Sequence, residues 1–364
     1  MHKKGWLVTL LVALFLILAA CQAKETATDE KKPEETEQKD ERPVEEEPEE
    51  PEKPEEPEPA YTFPLTGIGT DEALHPRVIG VMINNAPEAR PQSGLHKADL
   101  VYEVLAEGRI TRMLALFQSE QPDQIGPVRS ARDYYVRLNN AFDAIYVFHG
   151  WSPSAKSMLT SGNIDSLNGL YYDGSLFKRV GFRKAPHNSY ITYDNIIKGA
   201  KKNNFELKQE IKPFSFMPEE DITNIEGDPA TKMTVTYGKY QVTYRYDSEK
   251  GIYHRYTGNQ QSVDRETGTP IELENVFVVV ADHRIIDSAG RRNINLTSGG
   301  EALLFQEGKV QKIAWMNDNG RIIPVEAVMN PTKDAKPAEV PLVPGKTWVN
   351  VVPSSEYSSN VNWE

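Results

Sequence analysis

The chain has 364 residues, and its 53 acidic and 41 basic side chains give a formal net charge of −12 at pH 7. This excess of acidic residues argues against a nucleic-acid-binding protein, which needs a basic surface to contact phosphates. The chain has a single cysteine, Cys21, which excludes a disulfide within the chain.

The N-terminus has the pattern of a lipoprotein signal. Lys3 and Lys4 precede the apolar run WLVTLLVALFLILAA, and Cys21 follows it directly. A run of 15 residues fits a signal peptide better than a membrane-spanning helix, which needs about 20 residues. LAAC resembles a bacterial lipobox, in which the cysteine becomes the lipid-bearing N-terminus. We therefore predict a signal peptide over residues 1–20, lipidation of Cys21 and attachment to the outer face of the cytoplasmic membrane, with an uncleaved signal anchor as the alternative.

Residues 21–60 have the composition of an acidic tether. After Cys21 this segment carries 17 acidic residues, 6 basic residues and 7 prolines, and it contains no aromatic residue. Such a segment cannot bury enough apolar surface to offset the entropy lost on ordering, so we predict a disordered spacer. The tether holds a net charge of −11 and the signal segment has two lysines, so residues 61–364 carry a net charge of −3.

The rest of the chain predicts two domains of an α+β protein. Over residues 61–215, apolar runs typical of strands alternate with helical patterns, which predicts a layered α/β domain with a mixed sheet. Over residues 216–364, MTVTYGKYQVTYRY and later alternating runs predict an all-β domain, either a small barrel or a sandwich. The predicted strands of the first domain are VIGVMI (78–83), DLVYEVL (99–105), ITRMLALF (110–117) and AIYVF (144–148).

The segment IGPVRSARDYY, residues 125–135, is the main candidate for a binding site. Ser130 followed by Asp133 resembles a capping box, which predicts a helix that begins at Ser130. Arg129 and Arg132 would then flank a helix N-terminus, where free backbone N–H groups and guanidinium groups favour a phosphate or carboxylate. The alternative is that both arginines pair with core carboxylates.

His149 follows the strand 144–148 as the candidate partner of these arginines. If that strand lies beside the strand 110–117, His149 would face Arg129 and Arg132 across a cleft. The alternative is a histidine with a purely structural role.

Two further groups of residues carry alternatives of their own. Glu103 and Glu107 share one face of a predicted strand, so they could form an acid and base pair for glycoside chemistry, or pair with Arg112 across the hairpin. His187 and Asn188 lie in the loop KAPHNSY, where they could supply a proton donor or anchor the loop by hydrogen bonds.

Several familiar catalytic motifs are absent from the sequence. It has no Gly-x-Ser-x-Gly elbow, no His-Glu-x-x-His motif and no Gly-rich phosphate loop. The seven histidines lack metal-ligand spacing, so we predict neither a metal nor a cofactor.

Longer motifs resemble a known family. VMINNAPEARPQSGLHKADLVYEVLAEGRITRMLALFQS, IGPVRSARDYYVRL, KAPHNSY, GRRNINLTSGGEALLF and LVPGKTWVNVVP resemble the YerB-like lipoproteins, a family of Gram-positive envelope proteins with an N-terminal and a separate C-terminal domain. That family implies architecture and location, but it carries no established reaction and no catalytic residues. The shorter VRSARDYYV is similar to a segment of the LytR-CpsA-Psr phosphotransferases, in which an arginine binds a polyprenyl pyrophosphate. The corresponding positions here are Ser130, Arg132 and Asp133.

These features allow three functions. The first is a tethered extracytoplasmic protein whose N-terminal Arg/His cleft binds an anionic envelope ligand, with a cell-wall glycopolymer, an anionic small molecule or a protein as its partner. The second is an enzyme, a phosphotransferase or a hydrolase, acting on phosphorylated or glycan envelope material. The third is a structural or protein-interaction scaffold. We rank the binding protein first, and the sequence leaves open whether the protein is catalytic.

Overall fold

The computed structural model describes residues 59–327 and 336–364. The predicted signal peptide, the lipidation site Cys21 and nearly all of the predicted tether lie outside these residues. Among the described residues, we find no helix with the length and hydropathy needed to cross a lipid bilayer.

Strands and helices alternate in the first part of the described chain. The strands are β1 (Tyr61–Thr62), β2 (Gly69–Thr70), β3 (Ile79–Asn84), β4 (Leu100–Glu107), β5 (Ile110–Phe117), β6 (Gln124–Ile125), β7 (Ile145–Phe148), β8 (Ser166–Asn168), β9 (Phe177–Arg179) and β10 (Ser189–Thr192). The helices are α1 (Asp133–Asn140), α2 (Pro153–Ser161), α3 (Gly169–Tyr172) and α4 (Tyr193–Lys202). The four strands predicted from apolar runs are thereby confirmed as β3, β4, β5 and β7.

Strands dominate the second part, where the helices span one turn each. The helices are α5 (Glu219–Ile222) and α6 (Tyr357–Asn360). The strands are β11 (Asp228–Pro229), β12 (Lys232–Tyr237), β13 (Tyr240–Asp247), β14 (Ile252–Thr257), β15 (Gln260–Gln261), β16 (Glu272–Leu273), β17 (Asn275–Ala281), β18 (His283–Ile285), β19 (Arg292–Ile294), β20 (Gly300–Gln306), β21 (Lys309–Asp318), β22 (Arg321–Val325), β23 (Thr347–Pro353) and β24 (Val361–Trp363).

A mixed sheet forms the centre of the fold. Within the described residues it has eleven strands, in the order β11–β21–β20–β17–β23–β4–β5–β3–β7–β8, with β22 paired to β21. The pairs β3–β7, β7–β8, β23–β4 and β17–β23 are parallel, whereas β5 runs antiparallel to both β3 and β4. The predicted α+β class, with a mixed sheet in the N-terminal region and antiparallel sheets in the C-terminal region, is confirmed.

Both faces of the central sheet are covered. Side chains of β3 alternate between the two faces, so that Val81 joins one apolar core and Met82 joins the other. Helices α1 and α2 cover one face through residues such as Leu138 and Leu159. A second sheet, ordered β15–β14–β13–β12–β24 with β16 paired to β14, packs on the other face through residues such as Tyr244. A strand buried on both faces has apolar residues at successive positions, which explains the run MLALF in β5.

The central sheet continues across the predicted domain boundary at residue 215. Strand β23 pairs in parallel with β4, so that Thr347 lies opposite Leu100 and Val351 lies opposite Val104. The division of the chain into domains at that residue stays a prediction, and the strands on its two sides share one hydrogen-bonded ladder.

Asp99, just before β4, is a buried acid that should make the stability of the fold depend on pH. Its carboxylate accepts hydrogen bonds from the backbone N–H groups of Gln118 and Ser119 and from the Ser119 hydroxyl. Burial nevertheless raises the pKa of Asp99 to about 6 from its ordinary value of 3.8. Because the folded pKa exceeds the unfolded one, folding favours the protonated form, and stability falls as pH rises from about 4 to about 6.

We expect Asp99→Asn to remove this pH dependence. Between pH 4 and pH 6 the free energy of unfolding of the wild type should fall relative to the variant by about 2 kcal/mol, which is the part of a shift of about two pKa units that falls within this range. Urea unfolding midpoints at pH 4, 5, 6 and 7 measure this difference. The exposed Asp228→Asn is the control, and a wild-type-to-variant difference that stays constant with pH would contradict the assignment.

Candidate functional site

The candidate site lies where parallel strands of the central sheet end. Strand β3 ends at Asn84 and β4 ends at Glu107, while β5 begins at Ile110 on the same edge because it runs in the opposite direction. Ligands of open α/β sheets bind beyond the carboxyl ends of the strands. The positions of Asn84, Glu107 and Ile110 therefore define the edge on which a ligand site is expected.

The chain segment around Arg129 is held between the ends of β3 and β7. The Arg129 backbone N–H donates to the Met82 carbonyl at 2.9 Å, and its own carbonyl accepts from the His149 N–H at 2.9 Å. The condition set for a contact between His149 and the arginines, adjacency of β5 and β7, is not met, because β3 lies between these two strands. Beyond the end of the β3–β7 pairing, the Arg129 main chain lies beside β7. The backbone hydrogen bond from the His149 N–H to the Arg129 carbonyl therefore places these two residues side by side.

Helix α1 begins at Asp133, and the predicted start at Ser130 is wrong. The segment up to Ala131 stays extended, because the Ala131 N–H donates to the Gly150 carbonyl at 2.9 Å. The Ser130 hydroxyl donates to the His149 carbonyl at 3.0 Å and does not cap the helix. Asp133 lies in the first helical turn and lines a separate cleft of about 620 Å³.

Arg132 forms an ion pair with an acid of the same chain. This is the alternative to ligand binding that the sequence left open for the two arginines. Its guanidinium pairs with Glu107 and donates to the Ala131 carbonyl at 2.6 Å. Glu107 also accepts from Arg112 at 2.7 Å, and Arg112 donates to the Ser130 carbonyl at 2.7 Å. The expectation that two free arginines flank the site is therefore wrong for Arg132. Glu107 balances two cations, Arg112 and Arg132, with one charge.

Arg129 differs from Arg132. Across residues 59–327 and 336–364 no carboxylate lies within ion-pair distance of its guanidinium, which makes one long contact of 3.4 Å to the Pro186 carbonyl. Its Nε is buried and has no hydrogen-bond partner in the same ranges. Burial, and then repulsion by Arg112, lower the pKa of Arg129 to about 10.

Arg129 opens onto a cavity of about 640 Å³. Four of the predicted site residues contribute to its wall, together with others that the sequence analysis did not single out. The lining residues are Asn84, Ala86, Glu88, Glu107, Ile110, Arg112, Arg129, Phe182, Arg183, Lys184, Ala185 and His187.

Arg183 and Lys184 add positive charge to the cavity wall. Arg183 is held by neutral acceptors: its Nε donates to the Tyr190 hydroxyl at 2.8 Å, and one terminal nitrogen donates to the Glu88 carbonyl at 2.6 Å. Within the described ranges neither Arg183 nor Lys184 forms an ion pair. Arg183 precedes the loop KAPHNSY and Lys184 is its first residue, whereas the sequence analysis singles out only His187 and Asn188 in this loop; the basic pair before Pro-His-Asn was the signal that could have identified these two residues.

His187 is held as a neutral imidazole. The Asn84 side-chain carbonyl accepts from the Ala86 backbone N–H at 3.1 Å, which orients the Asn84 amide nitrogen toward His187 Nδ1 at 2.7 Å. Nδ1 must accept this bond, so the proton resides on Nε2. Burial, and then repulsion by Arg129, lower the pKa of His187. His187 therefore presents a neutral N–H donor.

His149 is locked by two hydrogen bonds and does not line the cavity. Arg179 must donate to His149 Nε2 at 2.9 Å, so Nδ1 carries the proton and donates to the Ser189 hydroxyl at 2.8 Å. Burial, and then Arg179, lower its pKa. A Cβ atom at Gly169 would overlap the imidazole ring, so only glycine fits there. These contacts match the structural role that was the alternative for His149.

Glu103 and Asn188 also lie outside the cavity lining. Glu103 is fully buried and pairs with Arg255 at 2.9 Å, while Glu107 pairs with Arg112, so the structure matches the ion-pair alternative and not the acid–base pair. The register of β4 and β5 shifts between Leu105 and Glu107, which gives the two acids different partners. The Asn188 side-chain carbonyl accepts from Arg179 at 3.1 Å, which anchors its loop.

Comparison with known proteins assigns the family. Residues 65–206 match the family described as "Protein of unknown function (DUF3048) N-terminal domain", and residues 233–349 match its C-terminal domain. A protein of Bacillus subtilis (strain 168) named "Putative lipoprotein YerB" is 44% identical over 365 residues, covering 98% of each chain. The crystal structure of the YerB protein from Bacillus subtilis matches with a TM-score of 0.74 and 46% identity, over 83% of this chain and 99% of that chain. The chain thus belongs to the YerB-like family, defined by the N- and C-terminal DUF3048 domains.

Proposed function

We propose that this protein is a lipid-anchored extracytoplasmic binding protein whose cavity at Arg129 binds an anionic envelope ligand carrying phosphate or carboxylate. The observation that carries this proposal is the partly buried Arg129 guanidinium at the cavity wall, which has no carboxylate partner in the described ranges and whose Nε is buried without an acceptor there. A buried guanidinium N–H without an acceptor destabilises the protein, and a charge held away from solvent without a counter-charge adds to this cost. A bound anion would supply the missing acceptor.

The charges of the cavity wall support the same ligand class. Arg112, Arg129, Arg183 and Lys184 contribute four positive charges, and the acids in the lining are Glu88 and Glu107. Glu107 is already engaged by Arg112 and Arg132. A pKa of about 10 keeps Arg129 protonated at neutral pH, so the wall remains net positive. Planar guanidinium groups suit phosphate and carboxylate oxygens.

The N-terminus and the relatives support the location. The relative with 44% identity carries lipoprotein in its name, and the motif LAAC ends the apolar N-terminal run of this chain. Lipid on Cys21 would attach the protein to the membrane, and export would place it on the outer face. There it would meet the phosphorylated and carboxylated polymers of the envelope, which form our proposed ligand class.

We expect Arg129→Gln to weaken phosphate binding by about tenfold or more, because a hydrogen bond to a charged group contributes about 1.5–3 kcal/mol. Isothermal titration calorimetry of inorganic phosphate into residues 59–364 measures the dissociation constant. The variant should unfold at an unchanged or higher urea concentration, since it removes a partly buried charge that has no acidic partner in the described ranges.

Arg137→Gln is the matched control for this titration. Arg137 is 61% exposed on α1, lies 3.8 Å from Asp133 and does not line the cavity. Phosphate binding should be unchanged in this variant. Equal phosphate affinities for the wild type and Arg129→Gln would contradict the proposed site, and a loss of stability in Arg129→Gln would indicate a structural role for the arginine.

A further inference from the structure

We propose that the ligand is an amphiphile, with an anionic head bound at Arg129 and an apolar chain lying against Ile110 and Phe182. This inference rests on the proposed function and specifies the ligand's chemical class. The first observation is the volume of the cavity. One water molecule occupies about 30 Å³, so a cavity of about 640 Å³ has room for roughly 20. An inorganic anion would leave most of this space filled with water, whereas organic ligands fill cavities of this volume.

One wall of the cavity places an apolar side chain beside a cation. Ile110 and Arg112 are two residues apart on β5, so their side chains leave the same face of the strand. Ile110 is 37% exposed although it lies at the start of a strand that is otherwise buried. Its exposed surface therefore adjoins the cationic part of the cavity.

A loop in the cavity lining repeats this arrangement. Phe182 precedes Arg183 and Lys184, and all three line the cavity. The Phe182 ring is held by the Arg265 guanidinium, 3.5 Å from the ring centroid, and by an edge contact with Tyr190 at 5.6 Å. Nevertheless the residue is 47% exposed. A ring fixed by its neighbours and still half exposed is a preorganised apolar contact.

The two walls together define a ligand with two chemically different ends. Arg129 and Lys184, which lack carboxylate partners in the described ranges, would bind the head, and Ile110 and Phe182 would cover part of the chain. A purely ionic ligand would leave these apolar side chains in water, and a neutral apolar ligand would leave the Arg129 Nε–H without an acceptor. An alkyl or acyl chain joined to phosphate or carboxylate satisfies both.

A calorimetric series measures separately what the anionic head and the apolar chain of the ligand contribute to binding. Octyl phosphate and octanoate, each below its micelle-forming concentration, are compared with inorganic phosphate and acetate, which provide the heads alone. Octyl glucoside provides the chain with a neutral head. We expect at least one alkyl anion to bind more tightly than its own head group, by about fourfold for each methylene removed from water. Octyl glucoside should bind more weakly than that alkyl anion.

The double variant Ile110→Ser/Phe182→Ser should abolish this gain while leaving the affinity for inorganic phosphate unchanged. Ile285→Ser is the matched control, because Ile285 is 63% exposed and lies outside the cavity lining. Equal urea midpoints for the double variant and the control would show that both remain folded.

The outcomes distinguish this inference from the proposed function. Equal binding of each alkyl anion and its head group, or a gain that persists in the double variant, would overturn the amphiphile and leave the anion site standing. Octyl glucoside binding as tightly as octyl phosphate would also overturn it. Absence of binding by every anion would overturn both proposals.

Discussion

Replacing Arg255 by methionine should lower the free energy of unfolding by about 3–5 kcal/mol, the range measured when one partner of a buried ion pair is removed. Arg255 on β14 is 2% exposed, and its partner Glu103 on β4 is 0% exposed. The substitution would leave the Glu103 carboxylate buried without a counter-charge. Urea unfolding at pH 7 measures the loss.

Glu103 connects three parts of the fold, which explains the size of this effect. Its carboxylate accepts from Arg255 at 2.9 Å, from Trp348 Nε1 on β23 at 3.0 Å and from Thr111 on β5 at 2.8 Å. The Arg255 guanidinium also lies 4.5 Å from the Trp348 ring centroid. Loss of Arg255 would therefore disturb the packing of the second sheet on the central sheet.

Two further variants test this interpretation. Arg245→Met, at an exposed position on the neighbouring strand β13, should change stability by less than about 1 kcal/mol. The double variant Glu103→Gln/Arg255→Met should recover part of the loss, because no uncompensated charge remains. If Arg255→Met and Arg245→Met lose equal stability, the ion pair does not have the assigned importance.

Glu107→Gln should have opposite effects on stability and on anion binding. Glu107 pairs with Arg112 and Arg132, which are 5% and 9% exposed. Its neutralisation would leave two buried cations without an acid, so we expect a loss of about 2–3 kcal/mol in the free energy of unfolding. Removing a negative charge from the cavity wall should at the same time tighten phosphate binding by about fivefold, or roughly 1 kcal/mol.

Glu88→Gln is the matched control for this prediction. Glu88 lines the same cavity, is exposed and forms no ion pair within the described ranges. Its substitution should leave stability within about 0.5 kcal/mol of the wild type, with a smaller gain in affinity because solvent and salt screen its charge. Weaker phosphate binding by Glu107→Gln would contradict the repulsive role assigned to the Glu107 charge.

Local patterns predicted the strands and hairpins because those signals depend on neighbouring residues. Within MTVTYGKYQVTYRY, Gly238 and Lys239 form the turn that joins β12 to β13. Ser152 followed by Pro153 is a local helix-start pattern, and in the structure Ser152 caps α2 by accepting from the Ala155 N–H at 3.2 Å while Pro153 occupies the first helical position.

Contacts between distant residues could not be predicted in the same way. The parallel pairing of β23 with β4 joins Thr347 to Leu100, and no local pattern encodes the partner of a strand. The helix start at Ser130 failed because tertiary backbone bonds keep Ala131 extended. Which of the two arginines is free depended on Glu107, whose partners are set by the register shift at the end of β4.

NMR of arginine side chains tests the central claim most directly. The Arg129 Nε–H group has no acceptor in the described part of the chain, so its resonance should respond when an anion enters the cavity. We expect the Arg129 Nε–H resonance to shift and saturate during a phosphate titration, with the dissociation constant found by calorimetry, while Arg137 stays unchanged. Phosphate binding that shifts other arginines and leaves Arg129 unmoved would contradict the assignment of the anion site.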